Sequence, residues 1–152
     1  VFGRALEPVY NLRDADVIVA LDADFLAAGP GAMAYARQFA DRRRITNGVT
    51  NLNRLYVAEP AMTPTGSVAE HRLPVRASGV EPLARALAQR LGVANAGGAA
   101  VDAPWLAAAA ADLQGARGRS LVIAGQGQPA AVHALAHAIN QALGNAGRTV
   151  SY

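Results

Sequence analysis

The chain contains no cysteine, which excludes disulfides, thiolate nucleophiles, Cys-ligated zinc and Cys-ligated iron–sulfur clusters within it. Lysine is absent as well, because all fourteen basic residues are arginine; lysine chemistry is excluded with it. No stretch of about 18 uninterrupted apolar residues occurs, so no direct insertion into a membrane is expected. Aromatic residues make up only 5%, and the one basic run, Arg42, Arg43 and Arg44, has no aromatic interleaved as a stacking platform. A nucleic-acid partner is therefore not expected, and the run reads as the solvated end of a helix. What is present is apolar: 52% of 152 residues, the size and composition of a single globular domain spanning 1–152.

Short β-branched apolar runs mark strands at 17–21 (VIVAL), 54–59 (RLYVAE) and 120–124 (SLVIA). The first leads into a loop containing Gly29, Pro30 and Gly31. Residues Met33, Ala36, Phe39 and Ala40 then recur at helical spacing, predicting a helix over 31–44 whose terminal arginines complement its dipole. Strand, helix, strand implies a parallel crossover. After a polar connection over 46–53 and the second strand, 63–67 reads as a loop and 71–77 as a short edge strand limited by Pro74. Helices follow over 80–91, closed by Gly92, and over 104–113, docked through Trp105 and Leu106; 95–100 between them is a small-residue linker. A last helix covers 129–143. A strand begins at 149–152, and an ending inside a strand reads as a piece cut from a longer subunit.

Several residues fall where α/β sheets place ligands. Asp22 and Asp24 end the first strand and Glu59 the second; such acids accept hydrogen bonds from a ribose or a guanine edge, or else cap the loop that follows. Gly125-Gln126-Gly127-Gln128-Pro129-Ala130 matches G-x-G-x-x-A between a strand and a helix, the context of a phosphate cradle. The acidic residue expected about twenty positions on is missing, so a tight strand-to-helix turn is the competing reading. His133 and His137 share a helical face without the glutamate or third ligand of a zinc site. Ser67, Glu70 and His71 lack the G-x-S-x-G setting of a nucleophile. No catalytic residue and no metal ligand is assigned.

Three segments, 21–41 (LDADFLAAGPGAMAYARQFAD), 53–77 (NRLYVAEPAMTPTGSVAEHRLPVRA) and 121–150 (LVIAGQGQPAAVHALAHAINQALGNAGRTV), together resemble the molybdopterin oxidoreductase superfamily. The resemblance is closest to the molybdopterin-like, iron–sulfur subunit of alternative complex III, a bacterial quinol oxidoreductase. It implies a three-layer, Rossmann-like α/β fold with a mostly parallel sheet. It also implies that Asp22, Asp24, Glu59, Thr65, Gly125 and Gly127 line a crevice for molybdopterin guanine dinucleotide, living or vestigial.

The family's T-x-T-x-x-x-A-D stretch is answered by Thr63, Thr65, Ala69 and Glu70. Its P-G-T-D turn, whose acid recognises guanine, is replaced by Arg76, Ala77, Ser78, Gly79 and Val80. Val80 cannot accept a hydrogen bond, and a buried donor left without its partner costs about 1–3 kcal/mol. The resemblance therefore implies a cofactor-free scaffold within an electron-transfer subunit, with iron–sulfur clusters held elsewhere in the parent. The expected partners are the rest of that subunit and other subunits of a membrane-associated complex at the periplasmic face. The alternatives are the cofactor-binding domain of an active oxidoreductase and an independent nucleotide-binding module.

Overall fold

In the computed structural model, residues 7–45, 52–98, 101 and 103–152 are described. The elements run β1 (Val9–Tyr10), a 3-10 turn (Leu12–Asp14), β2 (Val17–Leu21), α1 (Ala32–Arg42), β3 (Arg54–Glu59), α2 (Pro64–Ser67), β4 (His71–Pro74), α3 (Ala77–Arg90), α4 (Pro104–Gly115), β5 (Ser120–Ala124), α5 (Ala130–Ala142) and β6 (Val150–Ser151). Four strands form one parallel sheet in the order β4-β3-β2-β5. β1 and β6 pair antiparallel in a separate two-stranded sheet.

The order follows from burial. Every residue of β2 is buried, as befits a central parallel strand covered on both faces. Its side chains alternate: Val17, Val19 and Leu21 join Tyr56, Ala58 and Val122 under α3, α4 and α5. Ile18 and Ala20 join Leu55, Val57, Leu121 and Ile123 under Phe39 and Tyr35 of α1. Helices therefore cover both faces, giving the three-layer Rossmann-like α/β fold expected from the sequence.

The outer edge of β5 is closed by side chains. Asn140 on α5 accepts from the Val122 N–H at 2.9 Å and donates to the Val122 carbonyl at 2.8 Å. Thr149 Oγ1 donates to the Ser120 carbonyl at 2.6 Å, and Asn145 exchanges hydrogen bonds with Ser120 Oγ and donates to Asn140 Oδ1. A buried amide here stands in for a further strand, so this edge is satisfied without one.

Some boundaries differ from expectation. The edge strand ends at Pro74 rather than 77, because proline supplies no N–H for the ladder. Helix α3 begins at Ala77 rather than 80, with Gly79 tolerated inside its first turn, where its N–H reaches the Arg76 carbonyl at 2.7 Å. The stretch 63–67, read as a loop, closes one helical turn capped by Thr63. Residues 46–51 of the predicted connection and 99–100 of the predicted linker lie outside the described residues.

Candidate functional site

Strand order places the site. Neighbouring strands β2 and β5 lead to helices on opposite faces of the sheet, α1 and α5, so their connections diverge at the carboxyl end. Such a switch point is where open α/β sheets form a crevice. A cleft of about 410 Å³ opens there, lined among others by Asp22, Asp24, Gly125, Gln126 and His133. Tyr10, Phe25 and Tyr35 supply aromatic wall, with the Tyr10 and Tyr35 rings 5.4 Å apart and the Tyr10 N–H on Tyr35 Oη at 3.3 Å. Burial, then the nearby Tyr35 and Tyr152, pushes the Tyr10 phenol above its ordinary value.

The floor depends on Gly125. A Cβ there would stand 1.7 Å from the Asp22 carbonyl oxygen, so only glycine lets the two strand ends converge. Asp22 takes a left-handed conformation, φ 53°, which aspartate tolerates better than most residues. Its carboxylate accepts from Gln128 Nε2 at 2.7 Å. Gly127 has open space around it and is not among the lining residues.

The three strand-end acids do different jobs. Asp24 Oδ1 accepts from the Thr65 N–H at 3.0 Å and Thr65 Oγ1 at 2.6 Å, and Thr65 Oγ1 accepts in turn from the Leu26 N–H. Thr65 is fully buried and ties the cleft loop to α2. Glu59, only 1% exposed, lies outside the cleft lining. Its carboxylate pairs with Arg72 Nε at 2.6 Å and accepts from Thr63 Oγ1 at 2.7 Å. Gly66 makes room for it, since a Cβ there would lie 1.8 Å from Glu59 Oε1. Glu59 and Thr65 thus hold α2 in place, while Asp22 and Asp24 face the cleft. Arg72, the partner of Glu59, carries no motif that would have singled it out, and Gln128, the partner of Asp22, occupies an unspecified position of the G-x-G-x-x-A motif.

Other candidates disperse. Ser67 Oγ donates to the Pro64 carbonyl, Glu70 pairs with Arg43, and His71 stacks on Tyr56 at 4.4 Å, so no nucleophilic triad assembles. His133 lines the cleft, whereas His137 meets the Tyr152 ring edge-on at 4.6 Å. Among the described residues no three His, Asp or Glu side chains gather as a metal site.

Fold and cleft define a Rossmann-like α/β domain with a crevice at its switch point. No protein-family model matches the chain, and no curated protein matches it.

The described lining of the cleft is acidic rather than basic. Three carboxylates, Glu7, Asp22 and Asp24, stand among its described lining residues, and no arginine does. In the turn after β5 the Gln128 N–H is given to the Gly125 carbonyl at 3.0 Å, and Pro129 has no N–H. Val80, in the first turns of α3, is fully buried in the core.

Proposed function

We propose that this chain is a cofactor-free structural domain of a molybdopterin oxidoreductase-like subunit in a respiratory electron-transfer complex. On this reading the domain keeps the crevice of its fold but performs no chemistry in isolation, and any redox activity belongs to the parent assembly. The family assignment rests on the three resembling segments at 21–41, 53–77 and 121–150. The loss of the cofactor rests on one observation: the cleft is lined by carboxylates and by no arginine among its described residues, in a chain whose fourteen basic residues are all arginine. A crevice selected for a pyrophosphate would place cations there.

The test is calorimetric titration of the folded chain with GDP and GMP, which carry the guanine and phosphate groups of the cofactor. No saturable heat up to millimolar nucleotide is expected. Micromolar binding that disappears in Asp22→Asn would overturn the proposal in favour of a living cofactor site. Asp22 suits this purpose better than Glu59, whose replacement removes a buried ion pair of the fold.

A further inference from the structure

A second cleft, of about 640 Å³, opens at the opposite, amino end of the sheet, and its chemistry is the reverse of the first. Arg42, Arg119 and Arg148 line it together with Asp14 and Asp16. Four separate stretches deliver these residues: the turn before β2, the end of α1, the residue before β5, and the loop after α5. Both oxygens of Asp16 are taken, one by Arg42 at 2.5 Å and the other by Arg119. One carboxylate therefore serves two guanidinium groups. Asp14 is engaged by the Asn11 amide at 2.7 Å. Arg148 is exposed and forms no ion pair among the described residues.

Arginines near helix C-termini often do no more than satisfy terminal carbonyls. That explains Arg117, which donates to the Ala142 carbonyl of α5 at 2.5 Å, and part of Arg42. It does not explain Arg119, 59% exposed on its side chain, or the unpaired Arg148. We infer that this amino-end cleft is a docking surface for an acidic peptide segment of a neighbouring chain, gripped through Arg119 and Arg148.

The backbone argues for a peptide rather than a small oxyanion. A tight phosphate site draws on several free N–H groups. Here those of Gly118, Arg119, Gly147 and Arg148 are given to the carbonyls of Leu143, Ala116, Val150 and Asn145 at 2.9, 2.9, 2.7 and 3.0 Å. Recognition falls to guanidinium forks spread over an open cleft, which match carboxylates spaced along an extended chain. The inference uses only this cleft and is independent of the family reading.

Fluorescence anisotropy with a labelled hexaglutamate peptide tests it. Saturable binding at low ionic strength is expected, weakening as salt is added. Arg148→Glu should weaken it by about fivefold or more, the scale of one surface ion pair. Arg76→Glu, an equal change in net charge at the start of α3, should shift it less than about twofold on the same scale. Arg148→Gln reads the same loss should charge reversal disturb the fold. Absent binding, or equal weakening by Arg148→Glu and Arg76→Glu, would overturn the inference. So would inorganic phosphate binding more tightly than the peptide and losing that affinity in Arg148→Gln, the behaviour of a small-anion site.

Discussion

The two ends of the parallel sheet are built on opposite plans. At the carboxyl end each acid that closes a strand is held by a side chain, Glu59 by Arg72 and Thr63, Asp24 by Thr65, Asp22 by Gln128. Two glycines, Gly66 and Gly125, allow the close approaches. At the amino end the groups are guanidiniums, more exposed and less fully paired. Polar groups at the first end are consumed in holding loops, so substitutions there should be read in stability. At the second end charge is left over, so substitutions should be read in binding and ionic strength.

The largest expected effect is at Glu59. Removing it in Glu59→Ala strands Arg72, whose side chain is only 20% exposed, and orphans the Thr63 cap. Breaking one partner out of a buried pair costs about 3–5 kcal/mol, measurable as a lower urea midpoint. A loss under about 1 kcal/mol, the range of a surface pair, would show that the carboxyl end is no more tightly bound than the amino end. Next comes Gly125→Ala. Its new Cβ meets backbone rather than a flexible side chain, so a destabilisation of about 1–3 kcal/mol is expected from overpacking. Gly127→Ala, two residues on with nothing within 4 Å, should lie close to wild type. Equal melting curves for the two variants would refute the close-approach account.

Much of this contrast was legible in advance, and the remainder has identifiable reasons for being hidden. The strands at 17–21, 54–59 and 120–124 stood out because β-branched runs bounded by polar turns leave few alternatives, and the structure places them at those residues. Asp22, Asp24 and Gly125 are legible as strand-end residues because position at a strand's carboxyl end is a local property. Glu59 looked equivalent. Its inward role is set by Arg72 thirteen residues on and by the space above Gly66, neither of which has a periodic signature. Gln128 reaches Asp22 across 106 positions. The arginine cleft is harder still, since its members come from four stretches that only the fold brings together. β1, two residues long, is too short to carry a pattern, whereas the strand expected at 149–152 appears as β6 at Val150–Ser151.

The smallest expected effect lies at the amino end, in the Asp112 cluster. Tyr56 Oη and Arg54 Nη1 donate to the Asp112 carboxylate at 2.5 and 2.6 Å, beneath His71 and the edge of Trp105. Burial acts to raise the Asp112 carboxyl, but those two hydrogen bonds outweigh it and hold the group below its ordinary value. On Tyr56, burial and then Asp112 push the phenol up to about 12. A carboxyl depressed in the folded state contributes stability above its unfolded pKa, about 3.9 for aspartate, and loses it as pH falls through the folded value. Glu70 adds a similar loss: burial works to raise it, and Arg43 with the Leu55 N–H lowers it further than burial raises it. Asp112→Asn should therefore cost on the order of 1 kcal/mol at pH 7, with a urea midpoint that falls less steeply than wild type between about pH 5 and 3. Some acid sensitivity should persist through Glu70. If the variant kept the full wild-type slope, the cluster would owe its order to the Trp105 and His71 packing rather than to charge, and the amino end would be neutral ground apart from its arginines.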